Sequence, residues 1–424
     1  MTDPSEAAPE PAGRRRASLG FVFMVVMLDM IAMGVVIPVL PRLIQDFTHG
    51  EADTAARYIG WFAAAWALMQ FFASPVLGAL SDRFGRRPVL LISMFGLSID
   101  YVAMALAPNL AWLFVGRMIS GVTAATFATA NAYIADITPP KERAARFGVL
   151  SVAFGIGFIL GPALGGLLGD VDPRLPFWAA AGLTMANWLY GLLVLPESLP
   201  KELRRKFSFK LANPIGSFAL YRSSPAMLAL GGVVFLYYLA HQVLQSTVVP
   251  YVDYRYGWSA KMVGVSLALV GVGSIVVQGL VVRPFVARFG ERGALYVGLI
   301  CGAIGFAMYG AAPTTVFYLS AIPIFAFMGL VGPGFQGLMS RLVSPSEQGR
   351  LQGANMGLMA IASLGGPILF TEVFARALGP WRHWAPIGSP LYLASAMMIA
   401  GFLIALGART RGAPEPSTPR TSEA

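Results

Sequence analysis

Twelve apolar runs, each about 20 residues long and nearly free of charge, follow one another along the chain: 19–40, 58–80, 89–107, 110–135, 147–168, 176–195, 225–251, 262–282, 294–312, 316–338, 351–374 and 387–407. A helix rises about 1.5 Å per residue, so roughly 20 such residues cross the hydrocarbon of a bilayer. Inside lipid every backbone amide needs an internal partner, and a continuous helix supplies it. Charged residues make up only 12% of the chain, against about 25% in soluble domains. These runs imply an all-α membrane protein with twelve transmembrane helices in the lipid bilayer.

Several classes of function are excluded by what the sequence lacks. The single Cys301 rules out a disulfide framework within the chain or a multi-cysteine metal site. His49, His241 and His383 are far apart and none belongs to an H-E-x-x-H motif, so no metal is expected. No G-K-[ST] phosphate loop and no G-x-S-x-G elbow occurs, so neither ATP drive nor hydrolase chemistry is expected. Helix carboxylates also occur in intramembrane proteases, but Gly166-Leu167-Leu168-Gly169-Asp170 only approaches the G-x-G-D pattern, and at a run's edge. No cofactor and no enzyme activity are expected. A net charge of +10 suggests nucleic acid until its location is seen: the basic residues fall in short loops between apolar runs, which membrane topology explains.

Topology follows from those loops. With the N-terminus in the cytoplasm, 23 Lys and Arg fall on inner segments and 7 on outer ones (Arg42, Arg57, Arg174, Arg255, Lys261, Arg376 and Arg382), with Arg117 left inside the fourth run. Positive charge stays inside, which places both termini in the cytoplasm; the inner (cytoplasmic) membrane is the expected location. Arg14-Arg15-Arg16 before the first run resembles a signal-peptide start, but that run carries Asp29 and ends without a small-residue cleavage site, so it reads as a retained helix. The expected organisation is a disordered cytoplasmic segment 1–18, a six-helix bundle 19–195, a cytoplasmic linker 196–224, a second six-helix bundle 225–407 and a disordered cytoplasmic tail 408–424.

The two bundles read as repeats. Displacement by 205 carries Arg83, Phe84, Gly85 and Arg87 onto Arg288, Phe289, Gly290 and Arg292. The same offset carries Pro140 and Glu142 onto Pro345 and Glu347, Gly148 onto Gly353, and Gly161-Pro162 onto Gly366-Pro367. Basic loops recur in any polytopic protein, but chance does not keep one register across five landmarks. The implied fold is two pseudo-symmetric halves.

Ionisable residues within the runs are the candidates for chemistry, because each costs several kcal/mol unless paired or wetted. Asp29 lies midway along the first run. Asp100 and Arg117 each lie seven residues from the outer end of the third and fourth runs, at about 10 Å depth. Two readings stand: carboxylates and a cation lining a watery cavity, or a buried ion pair that fixes helix packing. The turn between the second and third runs concentrates Gly78, Asp82, Arg83, Gly85, Arg86 and Arg87. These charges must lie at a bilayer face.

That turn, G-x-L-x-D-R-x-G-R-R-P from Gly78 to Pro88, resembles the loop between the second and third helices of major facilitator superfamily transporters. Leu113 to Gly121 resembles that family's fourth-helix signature, which implies a role in proton transfer for Arg117. Gly155 to Gly166, with Gly157, Gly161, Pro162, Gly165 and Gly166, resembles its antiporter signature, typical of exporters. In the family the turn acts as a latch. The resemblance implies that Asp82 caps a helix end of the opposite half and that Arg86 pairs with Asp136. Leu28 to Pro41, Ser98 to Tyr101 and Ile134 to Thr138 resemble the tetracycline-resistance group. That group carries a His in helix eight and an Asp in helix nine. These align with Gly273 or Ser274 and with Gly302, so the second half departs from the pattern.

The expected function is therefore a proton-coupled secondary transporter that exports a small amphipathic compound by alternating access. Protons and a small-molecule substrate are its partners, and it works as a monomer. The alternatives are a proton-coupled uptake carrier for a metabolite and a non-transporting receptor or scaffold. Further polar residues within the runs are substrate-cavity candidates: Gln70, Asn131, His241, Gln242, Gln245, Gln278, Gln336 and Glu372. Interhelical packing is the plainer reading of the glutamines. Aromatics such as Trp61, Trp66, Phe235, Tyr237 and Tyr238 suit a flat substrate, with lipid-facing or packing positions as the default.

Overall fold

A computed structural model of the chain describes residues 12–123, 126–138, 143–200, 202, 204, 215–344 and 347–408. Residues 1–11 and 409–424, Pro140, Lys141, Glu142, Lys201, Arg205, Lys206 and Pro345 lie outside the described residues, so the expectations placed on them have no counterpart below. Among the described residues all regular structure is helical.

The first run becomes α1 (Ala12–Val36) and a short α2 (Leu40–Phe47). The break between them falls at Pro38 and Pro41, which cannot donate backbone hydrogen bonds. α3 (Ala52–Phe84) and α4 (Arg86–Ala105) flank the basic turn. The fourth run holds α5 (Leu110–Thr123) and α6 (Thr126–Ile137), followed by α7 (Arg143–Gly169) and α8 (Leu175–Val194). The seventh run is α9 (Pro225–Ser246) and α10 (Val248–Tyr256), broken where Pro250 cannot bond back to Ser246. α11 (Ala260–Val276) leads through a π-helical turn, Val277–Val281, into α12 (Val282–Ala311).

The tenth run is fragmented into α13 (Thr315–Ser320), α14 (Ile322–Ala326), a 3-10 turn Phe327–Leu330 and α15 (Val331–Ser340). Pro323 and Pro333 each remove one rung of its ladder. α16 (Gln348–Leu378) and α17 (Ser389–Gly407) complete the chain.

Ten stretches are long and apolar enough to cross a membrane. One of them, Ala260–Ala311, has 52 residues, roughly 80 Å of helix and far more than one crossing needs. It is interrupted at Gly290, with φ 71° and ψ 174°, so it makes two crossings. The fourth run supplies the remaining one as α5 with α6. Twelve crossings result, as the sequence implies. Gly85, with φ 106°, turns the chain between α3 and α4, and Gly290 stands at its repeat position 205 residues later. Both backbones lie where a side chain is strained.

The chain forms two compact units. The first comprises Met1–Ala212 with Leu244–Val272 and Pro367–Ile387, so α10, most of α11 and the second part of α16 are built into it. Its interior holds two apolar clusters. One gathers Val22, Val26, Leu90, Met94, Tyr133 and Ile134. The other gathers Ala32, Ile44, Phe62, Tyr101, Met104 and Phe177. Asp29 falls between the α1 residues of the two clusters. The second unit comprises Asn213–Val243, Gly273–Gly366 and Gly388–Ala424, with Val277, Ala294, Ala326 and Leu330 at one core.

Candidate functional site

The polar centre of the first unit is built on four helices. Asp29 on α1 is 5% exposed and Asp100 on α4 is 1% exposed. Tyr101, also buried, lies within electrostatic reach of Asp29, Asp100 and Arg117. Neither carboxylate oxygen of Asp100 has a hydrogen-bond partner among the described residues. Arg117 on α5 forms no ion pair with it; its guanidinium carbon instead lies 5.5 Å from the ring centre of Trp66 on α3. Of the two sequence readings, the static Asp100–Arg117 pair is therefore not formed. A lone carboxylate in such a place is expensive, and gaining a proton is the cheapest relief. The arrangement sets a buried carboxylate within electrostatic reach of a buried cation.

The glycines of the fifth run serve two seams at once. A methyl group on Gly161 would lie 2.6 Å from the Gly34 Cα, and one on Gly165 would lie 2.0 Å from the Val35 carbonyl oxygen. Gly157 meets Met30 in the same way. These three residues press α7 onto α1. Gly166 faces the other side, where a methyl would stand 2.4 Å from the Ala260 carbonyl oxygen of α11, and Pro162 serves both, its ring against Gly34 of α1 and its carbonyl towards Gly264 of α11. Small residues at such spacing let backbones touch, which is how helices hold together in lipid.

At one end of the unit the basic turn is tied by ion pairs. Arg86 donates from Nε to Asp136 Oδ2 at 2.9 Å and from Nη1 to Ser81 Oγ at 2.6 Å, and also binds Asp82. Its backbone N–H donates to Glu197 Oε1 at 2.8 Å. Arg87 Nη2 donates to the Leu192 carbonyl at 2.6 Å. Arg83 lies over the Phe84 ring at 5.0 Å. Gly85 lies against the Glu197 carboxylate and the Arg204 guanidinium, whereas Gly78 has open space around it. Asp82 thus engages Arg86 of its own turn.

The other end carries a second ionic set. Arg42 binds Asp253 at 3.4 Å, approaches Asp170 at 3.9 Å and donates to the Trp258 carbonyl. The Lys261 N–H donates to Asp170 at 3.0 Å. Glu372 pairs with Arg57 at 3.3 Å and with Arg376 at 2.8 Å. The structure thus gives Glu372 two arginines. Gln70 and Asn131 are half-buried and Gln245 is exposed.

In the second unit His241 and Tyr237 have ring centres 6.0 Å apart, and Phe335 packs against Tyr237 at 6.1 Å and Tyr238 at 6.2 Å. His241 Nδ1 is buried without a partner among the described residues. Gln242 donates to Ser363 Oγ at 3.0 Å. Gln278 lies in the π turn and is exposed, as is Gln336. Gly302 is enclosed by thioethers: a methyl there would meet Met398 Cε at 2.6 Å and Met328 Cγ at 3.0 Å. Gly273 faces Ala326. Neither place is prepared for a charge. No cluster of three or more His, Cys, Asp or Glu fit for a metal occurs among the described residues.

Sequence reasoning left Tyr101, Arg42, Asp253 and Glu197 without roles and gave Trp66 a packing role by default. The charges at the run ends were visible, but their pairing depends on which helix ends meet.

These helices, their glycine seams and the buried acids define a polytopic membrane protein. The chain belongs to the Major Facilitator Superfamily, whose description matches residues 22–367. It is 41% identical over 369 residues to the class C tetracycline resistance protein of Escherichia coli, covering 87% of this chain and 92% of that protein. The class B tetracycline resistance protein of Escherichia coli is 33% identical over 92% of this chain and 96% of its own length. Among solved structures, a D-xylose-proton symporter matches with a TM-score of 0.74 at 18% identity, over 93% of this chain and 97% of that one. A human organic anion transporter, TETRAN, matches with a TM-score of 0.68 at 24% identity, over 93% and 100%. At these identities the two structures speak to the fold alone.

Proposed function

We propose that the protein exports a flat amphipathic drug in exchange for protons, with tetracycline the first compound to test. The observation that carries this reading is the burial of two carboxylates, Asp29 and Asp100, on apolar helices beside Arg117. A proton entering from outside neutralises such an acid, and its departure inside restores the charge. The names of the tetracycline resistance relatives support a drug as cargo. With Gly273, Ser274 and Gly302 in the second half, coupling rests on Asp29, Asp100 and Arg117. In this reading the protein is a monomer in the inner membrane with both termini cytoplasmic, and the halves 19–195 and 225–407 move about the linker 196–224. Gln70, Asn131, His241 and Gln242 contact substrate, and the Arg86–Asp136 turn and the Arg57–Glu372 pair act as latches.

Everted membrane vesicles test the reading. With the vesicle interior acidified, tetracycline should accumulate inside, and an ionophore that collapses the gradient should stop it. Efflux in place of accumulation points to an uptake carrier. No gradient-dependent movement of tetracycline or of a broad drug panel would overturn proton-driven export.

A further inference from the structure

We propose that Trp66 is the resting place of the Arg117 guanidinium while Asp100 holds a proton, and that Arg117 leaves the indole for Asp100 when that proton departs. The inference rests on the proton-coupling reading of Asp100 and adds a positioning residue to it. Three observations support it. Asp100 is 1% exposed and both its oxygens lack partners among the described residues, as suits the neutral acid. Arg117 has no hydrogen bond or ion pair among the described residues, its Nε is buried without a partner, and its guanidinium carbon lies 5.5 Å from the centre of the Trp66 ring. A desolvated cation over an indole face is a favourable pairing.

The third observation concerns which part can move. A methyl on Gly121 would lie 2.6 Å from the Trp66 carbonyl oxygen, so α3 and α5 touch backbone to backbone there. A methyl on Gly116 would lie 3.2 Å from Asp100 Oδ1, so α5 also touches α4 at the acid. The Trp66 backbone and the Asp100 carboxylate both lie against α5. The long Arg117 side chain is the free part, and it can swing between them while the backbones stay in place.

The other groups around Asp100 do not replace Arg117. On α4 itself Tyr101 is the neighbouring titratable group, and Asp29 of α1 lies within reach of Tyr101. α8 brings Tyr190 alone. α3 carries Asp53, Arg57 and Tyr58 near one end and Asp82 and Arg83 near the other. α6 carries Tyr133 and Asp136, the latter bound to Arg86. When Asp100 gives its proton to water on the cytoplasmic side, the carboxylate bears one negative charge. Arg117 is the positive group within electrostatic reach to balance it.

The test is an infrared pH titration of the full chain in liposomes, following the protonated-carboxyl band that Asp100→Asn removes. Trp66→Leu takes away the competing face, so Arg117 pairs with Asp100 more readily and the midpoint should fall by roughly one pH unit. Fluorinated tryptophans at position 66 keep the side-chain shape and weaken the ring face, so the midpoint should fall stepwise with each fluorine. They also decide the matter should Trp66→Leu fail to fold. A midpoint that ignores fluorination overturns this proposal and leaves the proton assignment standing. Absence of any titrating band sensitive to Asp100→Asn overturns both.

Discussion

Gly264 of α11 lies directly on Pro162 of α7: a methyl group on Gly264 would stand 2.3 Å from the Pro162 carbonyl oxygen and 3.2 Å from the Gly166 Cα. The signature in α7 therefore works on two faces, with Gly157, Gly161, Gly165 and the Pro162 ring seated on α1 and Gly166 and the Pro162 carbonyl on α11. Pro162 interrupts the α7 ladder without breaking the helix. In lipid no hydrophobic force draws these helices together, so the contact depends on close packing.

Gly264→Ala should therefore part α7 from α11. The atoms it would meet are backbone and cannot rotate away, and overpacking of this kind costs about 1–3 kcal/mol. Proton-driven drug flux in vesicles should drop at least tenfold while membrane insertion is kept. Gly182→Ala, where nothing lies within 4 Å, is the control and should transport normally. Equal activity in both variants would show that the seam does not govern transport.

Asp29→Asn and Asp100→Asn should each reduce proton-driven flux by a factor of about 10 or more, because a permanently neutral group cannot carry the charge change. Exchange of labelled for unlabelled substrate needs no net proton movement and should survive in both. Full gradient-driven flux in both variants would remove these acids from the coupling step.

Arg86→Ala should destabilise the basic turn by about 2–4 kcal/mol, since it leaves Asp136, which is about four-fifths covered, with only the Ser198 hydroxyl among the described residues and takes the guanidinium from Asp82. Arg86→Lys should rescue little of this. A single ammonium does not reproduce a planar fork that reaches Asp136 through Nε and Asp82 through Nη1. Thermal melting in detergent checks both variants.

How much of this was legible in the chain depends on the range of the interaction. Helix existence follows from hydropathy within each run, and the repeat shows in one fixed offset, so the twelve crossings were readable in advance. The breaks at Thr247 and Ala321 follow from Pro250 and Pro323 beyond them, a local signal that a count of apolar residues passes over. The association of Asp100 and Arg117 with one depth was also readable. That Arg117 turns to Trp66 was not, because sequence gives a residue's depth on a helix but not which neighbouring helix its side chain meets. Arg42 illustrates the same limit: its partners are 128 and 211 residues away, and charge pattern alone does not choose among acids at the helix ends.

The Arg42–Asp253 pair gives a pH dependence whose sign can be worked out. Burial holds the Asp253 carboxyl above its ordinary value, Arg42 draws it part of the way back, and Asp46 pushes with burial. The folded protein thus binds this proton more tightly than the unfolded chain. The group's stabilising contribution is complete below the ordinary carboxylate value and is lost as pH rises through the folded one. Asp253→Asn removes that loss, so the variant should melt above the wild type at pH 8, with the gap narrowing as pH falls towards 5. Arg42→Gln should do the reverse at pH 8, because Asp253 and Asp170 lose their shared cation. The side chains of Arg42 and Asp253 keep 22% and 25% exposure, so water screens the pair and each effect should be on the order of 1 kcal/mol. Melting curves of the three proteins across this pH range check the sign. An Asp253→Asn variant less stable than wild type at pH 8 would mean that the ion pair outweighs the burial of its acid.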